Sequence, residues 1–259
     1  MLPNGNFGNN TGLKTQTNLG YDLGADWTPN SSIKASATVF YEFFRNELVS
    51  QATSSTTVGV SPANPTYTFN APRSEHRGVE LAANWRFYPG WQFLAAYTYL
   101  DEVYTEYTEA LANGANTFNF SRVGNKIPGI SPNELTARLG YDELHGPLTG
   151  LGGFVELVWK SSFYMDNANF LKAPGYELVN VNLHYKTDLA SDYFRQLNLF
   201  FEVRNVFDKT YVASANNVGN TVTSAGIQNP ASVLAVTQTG SIYAGSPRSF
   251  VAGMKIAFR

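Results

Sequence analysis

The stretch Leu19-Gly20-Tyr21-Asp22-Leu23-Gly24-Ala25-Asp26-Trp27 decides the fold, because its apolar and polar residues alternate one by one. Apolar side chains occupy every odd position, and glycine or aspartate occupies every even position. Successive side chains of a β-strand point to opposite faces of the sheet. The stretch therefore predicts a strand with one apolar face and one polar face.

The same period of two residues recurs along the rest of the chain. Nowhere does the pattern shift toward the helical period of about 3.6 residues. We therefore predict an all-β fold with about nine strands and no helix. After the first strand, the alternating segments are centred on residues 33–51, 79–87, 93–99, 135–141, 155–159, 179–185, 197–203 and 250–258.

The connections between these strands alternate in length. Short ones fall at about 28–31, 88–91, 142–150 and 187–196, and long ones at about 52–68, 106–130, 164–174 and 212–246. Outer-membrane barrels have this asymmetry, with short periplasmic turns and long extracellular loops. Aromatic residues near the strand ends are typical of girdles at the two membrane surfaces. The pattern predicts an antiparallel transmembrane β-barrel segment in contact with outer-membrane lipid.

Composition and charge exclude several classes of function. The net charge of −2 provides no basic field for nucleic acid, and the absence of cysteine excludes thiolate chemistry. None of His76, His145 and His184 has a second histidine at the close spacing of a metal-ligand pair. Asp166-Asn167-Ala168-Asn169 resembles a calcium loop, but lacks its later glycine and glutamate. We expect no catalytic residue, metal or cofactor.

Two other readings of the alternation remain open. A small outer-membrane barrel enzyme would need an even number of strands and a rim cluster of histidine with aspartate or glutamate. A soluble carbohydrate-binding β-sandwich would place the same odd positions in a dry core between two sheets.

Short motifs along the chain resemble the carboxyl-terminal part of a TonB-dependent outer-membrane receptor. This family imports ferric siderophores, cobalamin and some carbohydrates. The most specific motif is Asn205-Val206-Phe207-Asp208-Lys209 with Tyr211, which is similar to the family's penultimate-strand signature. The others are Arg77-Gly78-Val79-Glu80-Leu81, Tyr97-Thr98-Tyr99-Leu100, Gly124-Asn125-Lys126-Ile127-Pro128 and Gly245-Ser246-Pro247-Arg248-Ser249-Phe250.

The resemblance implies a barrel of about 22 strands that is closed by an amino-terminal plug. About nine strands are too few for that barrel and odd in number. We therefore expect residues 1–259 to be a single partial barrel domain without the plug, the export signal and the earlier strands. The implied function is transport of a ferric siderophore or similar large nutrient across the bacterial outer membrane. The implied partners are the missing plug and strands and, through the plug, the TonB–ExbB–ExbD system.

Physical roles can be assigned to several motif residues. Arg77 and Glu80 are predicted on the polar side of a strand, where charges of neighbouring strands can pair. The alternative is that the two side chains are simply solvated surface charges. Gly78 permits a close backbone approach or a local bulge. Asp208 is expected to bond its own backbone as the chain leaves the strand, with Tyr211 as a boundary aromatic.

The last motif residues lie near the carboxyl end. Phe258 resembles the terminal aromatic by which barrel-assembly machinery recognises such proteins, although Arg259 follows it. The other residues that match the motifs of the family are Asn205, Phe207, Pro247 and Arg248.

Ligand contacts are expected on the long loops. Aromatic and cationic side chains there suit a siderophore's planar rings and negative charge. The alternative is that the same side chains pack the loops together or anchor the upper girdle. The candidates are Phe118, Phe120, Arg122, Tyr164, Phe170 and Lys172.

Overall fold

A computed structural model describes residues 12–52, 66–113, 116–189, 192–216, 222–228 and 241–258. Within them the fold is all-β, and the long strands form one antiparallel sheet of nine strands. This confirms the predicted fold class and strand number. The first residues of the chain, parts of the loops predicted at 52–68 and 212–246, and Arg259 lie outside the described residues.

The nine long strands form a continuous wall, ordered β1-β2-β3-β4-β7-β8-β11-β12-β15. Their bounds are β1 (Thr17–Asn30), β2 (Ile33–Ala52), β3 (Thr66–Tyr88), β4 (Trp91–Glu106), β7 (Asn133–Asp142), β8 (Leu151–Lys160), β11 (Tyr176–Asp188), β12 (Phe194–Arg204) and β15 (Ser249–Phe258). Six shorter strands lie in the connections: β5 (Thr108–Asn113), β6 (Asn116–Ser121), β9 (Phe163–Tyr164), β10 (Lys172–Ala173), β13 (Val212–Asn216) and β14 (Ser241–Ala244).

One face of the wall carries the predicted row of apolar side chains. The side chains in this row are largely exposed: the exposed fraction is 74% for Leu23, 57% for Leu183 and 64% for Met254. On β3 the apolar row runs from Val79 to Phe87, which matches the roughly 9–11 residues that a transmembrane strand needs. The other face carries polar groups such as the Arg138–Glu156 ion pair. The alternation therefore separates a lipid-facing surface from a lumen-facing surface.

The two alternative folds are wrong for the described residues. No second sheet packs on the wall there, because every other sheet is a two-stranded hairpin. The odd positions of the strands therefore form no dry sandwich core. The wall is also not a small closed barrel, since β1 and β15 each pair with one neighbour and not with each other.

No helix in the described part of the chain is long and apolar enough to cross a membrane.

The two rims of the wall differ as predicted. Tight turns join β1 to β2 and β3 to β4, and the β7–β8 turn is also short. On the opposite rim, three connections contain hairpins, β5–β6, β9–β10 and β13–β14, that were not predicted. Their strands have six residues or fewer, which is too short to show a period. Strand β3 also begins at Thr66, earlier than predicted, so His76 lies inside the strand rather than before it.

Candidate functional site

The connections on the long-loop rim pack into two apolar clusters. Buried side chains are concentrated there rather than on the wall, whose apolar residues face outward. One cluster joins the upper ends of β2, β3 and β4, and the other joins β9, β10 and β13. The first contains Val49, Ala71, Tyr104 and Tyr107 with Ile127, and the second contains Phe163, Ala173 and Ala215 with Met165, Leu171 and Val212.

A buried ion pair fixes the β5–β6 hairpin. Glu109 is fully buried and Arg122 is 5% exposed, with 2.7 Å between Arg122 Nη2 and Glu109 Oε2. Arg122 Nε also donates to the same oxygen, and its Nη2 donates to Gln228. Burial raises the pKa of the Glu109 carboxyl, although Arg122 opposes the shift. Both charges are removed from water, so each depends on the other for compensation.

Asn167 connects this pair to two other parts of the chain. Its Nδ2 donates to Glu109 Oε1 at 2.9 Å, and its Oδ1 accepts from the Tyr104 hydroxyl at 3.0 Å. Its backbone oxygen accepts a third bond, from Asn125 Nδ2 at 2.7 Å. Asn167 and Tyr104 are each 1% exposed. Asn167 of the β8–β11 connection therefore contacts both the end of β4 and the β4–β7 connection.

The residues beside Asn167 hold the loop backbone. Asp166 accepts bonds from the amides of Phe170 at 3.1 Å and Leu171 at 2.7 Å, and burial raises the pKa of its carboxyl. Asn169 has a φ of 61° and exchanges two bonds with the backbone of Lys126. The sequence that resembles a calcium loop therefore has a structural role. Asp166 closes a turn, and Asn169 joins two loops. We call Tyr104, Glu109, Arg122, Asp166, Asn167 and Asn169 the loop clasp.

Three of the predicted ligand residues lie on or beside β6. The Phe118 and Phe120 rings are half-buried. Phe118 lies against Gly226, where a Cβ atom would come within 2.5 Å of the ring. The Arg122 guanidinium lies 5.2 Å from the centroid of Phe120 but is committed to the loop clasp. Phe118 and Arg122 thus have packing contacts of their own within the loops.

The other three predicted ligand residues lie on the β9–β10 hairpin and its turn. Lys172 is exposed, and its Nζ lies 4.7 Å from the centroid of the Tyr164 ring. Phe170 is 40% exposed. The hairpin is joined to the neighbouring loop by a bond from the amide of Gly129 to the oxygen of Tyr164. The structure therefore places the six candidates in two groups on adjacent loops, and their contact with a ligand stays a prediction.

The prediction that Arg77 and Glu80 both lie on the polar face of their strand is wrong for Arg77. The register of β3 is regular between them, with Arg77 opposite Tyr41 and Glu80 opposite Thr38. Two residues that are three positions apart in a strand point their side chains to opposite faces of the sheet. Arg77 lies on the outer face and donates to Asp101, with 2.7 Å from Nη2 to Oδ2. Gly78 is a close approach without a bulge, since a Cβ there would lie 2.2 Å from the Tyr99 oxygen.

The turn after β12 depends on Asn205 rather than on Asp208. Asn205 is buried with a φ of 51°; its Nδ2 donates to the oxygens of Lys209 and Ser246, and its Oδ1 accepts from the Lys209 amide. Asp208 instead accepts from the distant amide of Arg248 at 2.8 Å, so the prediction that it bonds its own neighbouring backbone is wrong. Asparagine adopts the left-handed conformation readily, and its side-chain amide can both donate and accept. It therefore makes more hydrogen bonds inside this turn than a carboxylate, which only accepts.

The remaining motif residues have distinct environments. The Tyr211 ring packs on Tyr176 with 4.3 Å between centroids, and Phe207 is 76% exposed. Arg248 donates to the oxygen of Val206 at 3.3 Å, and Pro247 beside it is exposed. Phe258 is 71% exposed on the outer face and packs on Phe194 of β12.

The histidines on the wall belong to hydrogen-bonded pairs. His76 lies between two carboxylates, with 3.3 Å to Glu47 and 3.7 Å to Glu102. His184 lies 2.7 Å from Asp142. Among the described residues, no group of three or more histidine, aspartate or glutamate side chains could hold a metal ion.

Known proteins resemble the chain in sequence and fold. A family model described as TonB dependent receptor-like, β-barrel, matches residues 1–206. The probable TonB-dependent siderophore receptor PiuA of Acinetobacter baumannii is 26% identical over 152 residues, which cover 59% of this chain and 19% of that protein. The ferrichrome outer membrane transporter/phage receptor of Escherichia coli K12 is 30% identical over 142 residues, which cover 54% and 17%.

The crystal structure of PiuA from Acinetobacter baumannii shares the fold. Its TM-score is 0.62 at 20% identity, covering 93% of this chain and 28% of that one. The chain spans less than a fifth of the length of the two curated relatives, which are named as a receptor and a transporter rather than as enzymes. The described sheet is a segment of the wall of a β-barrel in the bacterial outer membrane. The chain belongs to the TonB-dependent receptor-like β-barrel family.

Proposed function

We propose that this chain forms the carboxyl-terminal part of the barrel wall of a TonB-dependent receptor that imports a ferric siderophore or a similar large nutrient. The observation that carries the proposal is the nine-stranded open sheet with an apolar outer face, a polar inner face and packed loops on one rim only. Such a wall separates lipid from a polar lumen and presents a structured surface at the extracellular side.

The rest of the receptor is needed to complete the wall. Strands β1 and β15 each have one paired edge, and hydrocarbon provides no hydrogen bonds for the other edge. We infer that earlier strands pair with these edges and that a plug fills the lumen. Energy from the TonB–ExbB–ExbD system would reach the ligand through that plug. The wall itself supplies no catalytic group in this proposal.

The loops are the proposed place of ligand contact. Tyr164, Phe170 and Lys172 combine two aromatic rings with an exposed cation, which suits an anionic ligand with planar groups. Phe118 and Phe120 would extend this surface from β6. Arg122 is proposed as a positioning residue, because its guanidinium is buried against Glu109.

The test is iron uptake by a chimeric receptor. The last nine strands and loops of the Escherichia coli ferrichrome transporter are replaced by residues 17–258, and the chimera is expressed in cells that lack siderophore receptors. Radioactive iron is supplied as hydroxamate, catecholate and citrate complexes under iron limitation. We expect accumulation of at least one complex, and loss of that accumulation when TonB is deleted.

A matched control separates assembly from transport. The shift of the unheated barrel on gel electrophoresis reports whether the chimera has folded. A folded chimera that accumulates none of the complexes would contradict the proposed function. Lys172→Ala is expected to weaken binding of an anionic complex about fivefold or more, whereas Lys34→Ala, at the opposite rim, is expected to leave it unchanged.

A further inference from the structure

A trough crosses the outer face of the wall near the short-turn rim. Its floor is Gly153 of β8, which lies in register between Tyr141 of β7 and Leu183 of β11. A Cβ atom at Gly153 would come within 2.4 Å of the Asn182 oxygen, so the backbone leaves no room for a side chain there. The trough is therefore built into the sheet, with a ring on one side and a leucine on the other.

The sides of the trough are almost entirely apolar. Apart from Tyr141, which is half-buried, they are exposed on the face of the wall that meets lipid, from 36% for Trp91 to 58% for Leu148. A recess with apolar sides suits an acyl chain of a lipid. The lining side chains are Trp91, Tyr141, Leu148, Leu151, Val155 and Leu183.

One charged side chain, Glu143, lines the end of this trough nearest the rim. The Tyr141 hydroxyl donates to Glu143 Oε2 at 2.7 Å, and the amide of His145 donates to Oε1 at 3.3 Å. These bonds hold the carboxylate beside the apolar sides instead of leaving it to move in water. An anionic group at the end of an apolar trough complements a lipid head group that carries a positive charge.

The position of the trough defines the leaflet. Trp85, Phe87, Trp91 and Tyr141 form a continuous row of rings near this rim, with centroid distances of 5.3, 6.1 and 5.0 Å. Such aromatic belts mark the boundary between hydrocarbon and head groups. The short-turn rim of an outer-membrane barrel is periplasmic, so the trough lies in the inner leaflet, which contains phospholipid.

We propose that the trough floored by Gly153 is a binding site for a phospholipid with a primary ammonium head group, with an acyl chain along the trough and the ammonium at Glu143. Phosphatidylethanolamine has this chemistry. The inference depends on the placement of the wall in the outer membrane and is independent of the transported nutrient.

The test measures retained lipid on the chimeric receptor described above, purified in mild detergent. Phosphatidylethanolamine and phosphatidylglycerol with identical acyl chains are added at equal concentration, and native mass spectrometry counts the bound lipids. We expect the wild-type wall to retain the ethanolamine lipid preferentially. Glu143→Gln should lower that preference about fivefold, because one ammonium–carboxylate contact at a surface contributes roughly this factor.

Filling the trough tests the acyl chain separately. Val155→Trp should lower retention of both lipids, whereas Val39→Trp should not, although Val39 is an outward valine of similar exposure on β2 (48% against 51%). Asp188→Asn is the matched control for the carboxylate, since Asp188 ends β11 at the same rim. The proposal is overturned by an unchanged preference in Glu143→Gln, or by equal losses in Val155→Trp and Val39→Trp. Iron uptake by the same variants reports independently on transport.

Discussion

The wall and the loop clasp distribute apolar and polar side chains in opposite ways. On the wall, leucines such as Leu23 and Leu183 face outward, and charged groups such as Arg138 and Glu156 lie on the inner face. In the loop clasp, the Tyr104 ring is buried and the charges of Glu109 and Arg122 are buried with it. The bilayer is the apolar phase for the wall, whereas the loops, which stand in water, have to form a core of their own.

The difference determines how each region is held together. A transmembrane strand satisfies its backbone by pairing with its neighbours, and lipid covers its apolar side chains. The loops have such ladders only within their short hairpins, so polar backbone groups elsewhere in the loops need side-chain partners such as Asn125 and Asn205. Substitutions should therefore have opposite consequences: an added charge disrupts the outer wall, while a removed charge disrupts the clasp.

The largest effect is expected from breaking the buried ion pair. Glu109→Ala leaves the Arg122 guanidinium buried without its carboxylate, and we expect a local destabilisation of about 3–5 kcal/mol. Hydrogen exchange of the β5–β6 amides in the assembled receptor measures this. The control is Glu106→Ala, which removes an exposed pair with Arg73 and should cost no more than about 1 kcal/mol. Equal exchange in the two variants would show that the clasp does not depend on the pair.

The next effect separates the two faces of the wall. Leu81→Arg places a charge on the outer face near the middle of the apolar row, with an expected cost of about 2–4 kcal/mol. Ala82→Arg, one residue further, points to the lumen and should cost less than about 1 kcal/mol. Denaturant-induced unfolding of the barrel in phospholipid vesicles compares them. If the two costs were the same, the assignment of the outer face would be wrong.

A more local effect is expected where the wall meets the loops. Asn205→Ala removes three hydrogen bonds and strains a left-handed residue, for a total of about 2–4 kcal/mol, confined to the turn. Asn205→Gly keeps the backbone conformation and should cost about 1–2 kcal/mol. Protease cleavage after Lys209 reports opening of the turn. Identical cleavage of the two variants would indicate that the left-handed backbone contributes nothing.

Sequence reasoning succeeded where a simple period governs structure. Each wall strand repeats the same alternation, so strand number, faces and the length asymmetry of the rims were predicted correctly. The clasp carries no such repeat, because Glu109 meets Asn167 across 58 residues of sequence. The placement of Arg77 on the same polar face as Glu80 failed because the period of two was not applied to residues three apart. The left-handed asparagines could have been found, since asparagine adopts that conformation more readily than most residues.

The smallest expected effect is a difference in pKa between Glu109 in the loop clasp and Glu143 in the β7–β8 turn. Burial in the clasp raises the pKa of Glu109, whereas hydrogen bonds from the Tyr141 hydroxyl and the His145 amide lower the pKa of Glu143 in the exposed β7–β8 turn. A lowered pKa means that Glu143 stabilises its turn above the ordinary value of 4.5 and that this stabilisation is lost as the pH falls through the lower folded value. A carbon-13 NMR titration of the two carboxyls should give midpoints on opposite sides of 4.5. Tyr141→Phe should raise the midpoint of Glu143 and leave that of Glu109 unchanged. A Glu143 midpoint that does not respond to Tyr141→Phe would mean that the hydroxyl does not hold this carboxylate.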